Sequence, residues 1–326
     1  MLLEKSFPLA EEPQALLNRV IDNVKKVYLG HDDVIEKLMI ALLSGGHVLL
    51  EDVPGVGKTV LVRALASSID GLFKRVQCTP DVMPSDLTGI RLFNQRKAEF
   101  EYRPGPLMCN VLLADELNRS SPRTQSALLE AMEEGQITVD GEVIRLPKPF
   151  FVLATQNPYV FEGTYSLPEA QLDRFMFKLQ LGYPEAKNEE RLLEQTQGAI
   201  HPVNRLKPVL LTEELNALIQ ESSKVHIDPS LRTYIVQLAE ATRRHEDISL
   251  GVSPRASIML MKASQACAFI RGRGFVLPDD IKELAPYVFA HRVLLRHYRG
   301  LEAGDAFEIM KQITRLIAAP GLKYVR

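Results

Sequence analysis

The sequence predicts two domains, an α/β domain built on a parallel sheet followed by an all-helical domain, and three observations carry this. Between 47 and 157, apolar runs of strand length alternate with stretches of helical spacing. A Gly-rich loop, in LLEDVPGVGKTVLVRALA (49–66), joins the first such run to the first such helix. Past Pro184 the strand pattern stops and helical patterns follow one another. With 326 residues, 46% of them hydrophobic, the chain is long enough for two buried cores of about 150 residues each.

Two helices come first. Residues 13–28 and 31–44 repeat apolar positions at threes and fours, Leu16, Val20, Val24 and then Val34, Leu38, Leu42. HVLLE (47–51) is a buried-type strand and a helix opens at Lys58. NVLLADE (110–116) is the next strand, SPRTQSALLEAMEEG (121–135) a helix and FFVLATQN (150–157) a further strand. Two hairpins interrupt the alternation. In one, Phe100 and Tyr102 alternate with Glu99, Glu101 and Arg103; in the other, QITVDGEVIRL, Asp140-Gly141 supplies a two-residue turn. Helical patterns then cover 185–197, 211–221, 229–246, 254–271, 279–297 and 303–318. Gly198, Pro202 and Pro208 mark a linker at 198–208. The expected domains are 1–184 and 185–326.

Lys and Arg (39) nearly balance Asp and Glu (41), so the net charge of −2 gives no general pull toward nucleic acid or anionic membrane. Cys78, Cys109 and Cys267 lie far apart without C-x-x-C spacing, which argues against a disulfide framework or zinc site and for buried free thiols. Acidic residues and prolines in MLLEKSFPLAEEPQ break any signal-peptide core, and no later run approaches 18 apolar residues. The expected location is the cytoplasm, without a membrane span.

The loop carries the chemistry. Gly55 and Gly57 let backbone approach phosphates, Lys58 brings a point charge, and the Thr59 hydroxyl can ligate Mg²⁺. The pattern G-x-x-x-x-G-K-[ST] has Asp52 at its first position, where Asp tolerates a left-handed backbone. Asp115 and Glu116 follow an apolar run, at the strand end where open parallel sheets bind ligands. Asp115 would hold Mg²⁺ through water and Glu116 would polarise the water that attacks the γ-phosphate, although such a pair after a strand, taken alone, is usually a helix N-cap. Asn157 either orients that water or forms a turn before Pro158. Arg174, in a helix within SLPEAQLDRF, either stabilises γ-phosphate charge on a neighbouring subunit or forms a surface ion pair.

GVGKT, ADE at a strand end, ATQNP, LDRF and SPRA (253–256) occur in the order of AAA+ ATPases. PSDLTG (84–89), ADELNR (114–119), TQSALLEAMEE (124–134) and LPEAQLDRF, with EDVPGVGKT, resemble the MoxR family over nearly the whole chain. The resemblance implies an AAA+ P-loop domain, its parallel sheet sandwiched by helices, followed by an all-helical lid. It implies ATP and Mg²⁺ at the loop Gly55, Val56, Gly57, Lys58, Thr59 and Val60, with Lys58 and Thr59 as the Walker A pair. By the same resemblance Asp115 and Glu116 are Walker B, Asn157 is sensor 1, Arg174 the arginine finger and Arg255 sensor 2. Gly30 and His31 occupy the segment whose backbone contacts adenine, where Gln usually follows the glycine. Arg119 would be a second arginine acting across the subunit interface. The hairpins resemble the helix-2 insert and pre-sensor-1 insertion, which face a pore or substrate.

The implied function is a ring ATPase, a hexamer by resemblance, that matures or remodels protein complexes with a partner carrying a von Willebrand factor A domain. The rival is a nucleic-acid motor, supported by HRVLLRHYRG (291–300). There Arg292 and Arg296 lie one helical turn apart near His291, His297 and Arg299, against a solvated helix face opposite Val293, Leu294 and Leu295. A GTPase would show N-K-x-D after a strand, which the chain lacks, and a small-molecule kinase would not need the two arginines and lid.

Overall fold

The computed structural model describes residues 11–53, 55–158, 165–195, 202–296 and 303–321. Its centre is a five-stranded sheet of β1 (Val48–Glu51), β2 (Phe73–Gln77), β3 (Val111–Asp115), β4 (Phe151–Gln156) and β5 (Phe177–Leu179), all parallel, in the order β5-β1-β4-β3-β2. β1 and β3 are buried at every position and β4 at every position but its last, because helices cover both faces of a parallel sheet. Alternate residues of each strand enter opposite cores. Val48, Leu50, Val111, Leu113 and Leu153 join the core under the N-terminal helices and lid; Leu49, Leu112, Ala114, Val152 and Ala154 join the core under Pro122–Glu134.

Register places the C-terminal residues side by side, Glu51 opposite Gln156 and Gln77 opposite Asp115. All candidate chemistry of the first domain therefore collects at one edge. β2 is a mostly exposed edge strand, FKRVQ, with no apolar run to reveal it. The helices begin where their local chemistry says they should. Ser121 and Ser253 each cap a helix with proline at its first position, Pro122–Glu134 and Pro254–Ile270, their hydroxyls accepting from Thr124 and Ala256 N–H. Gly135, at φ 62°, ends the first of these.

Both hairpins form, Gly89–Asn94 with Glu99–Pro104 and Gln136–Val139 with Glu142–Arg145, the latter turning at Asp140 and Gly141 with positive φ. Cys78, Cys109 and Cys267 are buried free thiols. Among the described residues no helix is long and apolar enough to cross a membrane.

Several expectations need correction. Strands do not stop at Pro184: Leu210–Leu211 pairs with Ile69–Asp70, and Ile248–Leu250 pairs with Leu294–Leu295. The helix expected over 279–297 runs Pro278–Phe289, followed by a 3-10 turn at Ala290–Arg292. Three consecutive apolar residues, Val293 to Leu295, do not fit a helical face, and the last two enter a strand. Arg292 is buried and ion-paired to Asp173 at 2.8 Å, while Arg296 Nε donates to the Ile248 carbonyl at 3.0 Å. Burial takes Arg292 out of any nucleic-acid patch and no helix face forms over 290–296, while Arg296 is exposed; His297 and Arg299 lie outside the described residues. The linker expected at 198–208 falls partly outside them too, with Pro202–Arg205 a 3-10 turn.

Candidate nucleotide site

The loop between β1 and the helix Lys58–Ser68 turns on Gly55 (φ 92°) and Gly57 (φ 90°), a left-handed backbone that a side chain would strain. Lys58 Nζ donates to the carbonyls of Asp52 (2.6 Å) and Val53 (3.2 Å), which curls the loop around the ammonium. Burial pulls Lys58 below the ordinary lysine value, opposed by the carboxylates of Asp52, Asp115 and Glu116.

Asp52 is not in a left-handed conformation, so the reason given for tolerating it does not apply. Its carboxylate does the holding. Oδ1 accepts from Val53 N (2.8 Å), and Oδ2 accepts from Leu181 N (2.6 Å) and Gly182 N (2.8 Å), tying the loop to the chain beyond β5.

Two cavities meet at this loop, sharing Gly55, Gly57 and Val60. The first, about 260 Å³, is mainly apolar and includes Tyr28, Gly30, His31, Val56, Leu181 and Pro184. Tyr28 folds across Gly30 so closely that a Cβ there would lie 2.2 Å from the phenol ring and displace it. Burial pushes the Tyr28 hydroxyl up to about 12. The second cavity, about 310 Å³, is more polar than the first and brings together Lys58, Thr59, Asp115, Glu116, Thr155 and Asn157. An apolar chamber joined to a more polar one across a glycine loop suits a flat base and a polyphosphate.

At the end of β3, Thr155 holds the Asp115 carboxylate and the Glu116 backbone. Its hydroxyl donates to Asp115 Oδ1 (2.7 Å) and accepts the Glu116 N–H (2.8 Å). Glu116 sits at φ 55°, ψ 49°, a left-handed conformation that aims its side chain into the cavity. The edge strand β2 supplies further donors two residues apart on one face. Arg75 Nη2 donates to Asp115 Oδ2 (2.8 Å) and Gln77 Nε2 to Glu116 Oε2 (3.1 Å). Arg119 Nη1 also donates to Glu116 Oε2, at 2.8 Å. Asn157 lines the same cavity, and its carbonyl accepts from Asn118 Nδ2 at 3.2 Å. Thr59 and Asp115 are hard oxygen donors of the kind Mg²⁺ takes, so the residues present fit that ion.

Arg174 and Arg255 are not among the described residues that line either cavity. They meet elsewhere, on Glu133: Arg174 Nε lies 3.0 Å from Oε2 and Arg255 Nη1 2.9 Å from Oε1. Arg174 is not inside a helix, as expected, but just past the short helix Glu169–Leu172. Its neighbour Asp173 accepts from Arg292 Nε (2.8 Å) and from Ser253 Oγ (3.1 and 3.2 Å), fastening the turn to the second domain.

Arg75, Gln77, Thr155, Asp173 and Glu133 were not singled out from sequence. Thr155 had a signal, a hydroxyl two residues before Asn157 on a strand whose end was already a candidate.

Known proteins resemble the chain over most of its length. Residues 47–177 match the model of the ATPase family associated with various cellular activities (AAA), and 240–313 match the AAA lid domain. An uncharacterised protein of Bacillus subtilis, YeaC, is 51% identical, with 95% of this chain and 97% of that one covered. Chaperone MoxR1 of Mycobacterium tuberculosis is 39% identical, covering 95% and 84%. A crystal structure of a Cytophaga hutchinsonii protein assigned to the ATPases superposes with a TM-score of 0.87 at 39% identity, covering 95% and 96%. With its glycine loop, paired carboxylates and lid domain in place, the chain belongs to the MoxR family of AAA ATPases.

Proposed function

We propose that the protein hydrolyses ATP with Mg²⁺ as a homo-oligomeric ring, a hexamer, and uses the cycle for chaperone-like remodelling or maturation of protein complexes. One observation carries the reading: Lys58, Thr59, Asp115, Glu116 and Asn157 converge on the more polar cavity while Arg174 stands outside it. A site complete except for its arginine is a site that a second copy can finish.

The chemistry asks for positioning and charge stabilisation. The loop amides and Lys58 take the β- and γ-phosphate oxygens, and the apolar chamber beside Tyr28 takes the base, with Gly30 and His31 at its wall. Thr59 and Asp115 would hold Mg²⁺, which would supply charge neutralisation on the phosphate oxygens. Glu116, aimed by its left-handed backbone and by Thr155, accepts a proton from the attacking water. The new P–O bond forms at the γ-phosphorus as the bond to the bridging oxygen breaks, releasing ADP. Asn157 orients the water, and Arg174 of a neighbouring copy stabilises the γ-phosphoryl charge. Gln77 and Arg119 both bond Glu116 Oε2, so Oε1 is the oxygen that takes that proton.

The chaperone role rests on the family and on the name carried by the mycobacterial relative. The two hairpins, the first carrying exposed Phe93 and Phe100 edge to face, are the surface offered to a client or to a von Willebrand factor A partner. We place the protein in the cytoplasm. The test is phosphate release from ATP with and without Mg²⁺, for wild type, Lys58→Ala and Glu116→Gln. Glu116→Gln should bind ATP and fail to turn it over, and Lys58→Ala should lose binding. Wild-type turnover by Glu116→Gln refutes the assignment.

A further inference from the structure

Glu133 lies in the last turn of Pro122–Glu134 and is exposed, yet each of its carboxylate oxygens holds an arginine from a distant part of the chain. Arg174 arrives from the turn after Glu169–Leu172 and Arg255 from the first turn of Pro254–Ile270. A second carboxylate ties the same two segments together from behind. Asp173 accepts from Ser253, two residues before Arg255, and from the buried Arg292. Backbones and side chains of the two arginines are thus both fixed relative to each other.

Two guanidinium groups on one carboxylate leave a net positive pair. Each commits one nitrogen to Glu133, Arg174 its Nε and Arg255 an Nη, out of five N–H donors in a planar fork suited to phosphate oxygens. Exposed ion pairs add little to stability, so holding the fold together does not account for the arrangement. Nor does the protomer's own nucleotide cavity, which neither arginine lines among the described residues.

We propose that Glu133 is a positioning residue that joins Arg174 and Arg255 into one two-arginine site for the phosphate oxygens of a nucleotide held by a second copy of this chain. The inference rests on the ring-ATPase reading and extends it. Arg255 acts beside Arg174 across the interface, and Glu133 sets their spacing. Without the carboxylate the like charges repel and part, and a misplacement of about 1 Å at a catalytic contact costs on the order of 10²-fold in rate.

The test uses the full chain carrying Glu133→Gln, which keeps the shape and removes the charge. ATP affinity and melting temperature should match wild type while kcat falls about 10²-fold. Glu133→Asp, which restores a carboxylate, should recover part of that loss. Mixing supplies the decisive readout. A Glu116→Gln protomer cannot hydrolyse its own nucleotide but still presents an intact arginine pair. Added to Glu133→Gln protomers, it should complete their sites and raise activity above the sum of the two proteins alone. Wild-type turnover by Glu133→Gln, an Asp variant no better than Gln, or a mixture that gains nothing would each overturn the proposal. The ring-ATPase reading fails separately, by absence of ATP hydrolysis in the wild type or its persistence in Glu116→Gln.

Discussion

Thr155→Val removes one oxygen and nothing else of size, and the structure says what that oxygen does. The hydroxyl is buried, donates to Asp115 and accepts the Glu116 N–H. Valine has the same shape, so no cavity opens. A hydrogen bond to a charged group contributes about 1.5–3 kcal/mol, and leaving the partner N–H unpaired adds about 1–3 kcal/mol where it is shielded from water. Against this, Glu116 escapes a left-handed backbone that costs about 1–2 kcal/mol. The net destabilisation is about 2–3 kcal/mol, a fall in Tm of roughly 5–10 °C for a domain of this size. The kinetic effect should be larger in proportion, because relaxing Glu116 moves its carboxylate. We expect kcat to drop on the order of 10²-fold with KM for ATP changing far less. Scanning calorimetry and steady-state phosphate release measure the two effects on the same samples. A variant that melts lower but turns over at the wild-type rate would show that Thr155 supports the fold without orienting Glu116, and refute the reasoning.

Asp52→Gly restores the G-x-x-x-x-G-K-T pattern but should weaken nucleotide binding about tenfold, because the carboxylate bonds to Leu181 and Gly182 are lost; tighter binding in a fluorescent-nucleotide titration would contradict this. His47 is buried and neutral, its Nδ1 accepting from Val152 N so that Nε2–H donates to the Met132 carbonyl, and burial lowers it to about 4. The unfolded chain binds that proton from about pH 6.5, so stability should decline between pH 6.5 and 4, by about 3 kcal/mol in all. Denaturant midpoints across that window should fall less steeply for His47→Gln than for wild type, and equal slopes would remove His47 from the account. Arg292→Met leaves Asp173 short of its ion pair and should cost about 3 kcal/mol, with part recovered in the double variant Arg292→Met/Asp173→Asn; thermal melts decide it.

The placement of the glycine loop and of the Asp115-Glu116 pair was legible because each follows a buried strand, whose apolar run is visible in sequence and fixes where the next residues point. β2 was not legible for the converse reason. It lies at the sheet edge with mostly exposed side chains, so Arg75 and Gln77 gave no periodic signal of reaching the Asp115 and Glu116 carboxylates. Arg292 misled in another way. In sequence it stands in a basic run, and only the tertiary contact with Asp173, 119 positions away, turns it inward. Asp52 was noticed as a departure from pattern, but its task depends on backbone N–H groups beyond β5 that no spacing rule connects to it. Glu133 likewise lay inside a recognised segment, TQSALLEAMEE, with its two arginines far along the chain.

The measurement that tests the central claim most directly is ATPase activity per chain against protein concentration, for wild type and Arg174→Ala. An arginine supplied across an interface contributes about 10³–10⁵ in rate in other nucleotide hydrolases. The account predicts wild-type specific activity that climbs as protomers assemble, and an Arg174→Ala protein that binds ATP and assembles but stays near the dilute rate throughout. Constant turnover per chain in monomeric protein, or an Arg174→Ala variant as fast as wild type, would contradict it.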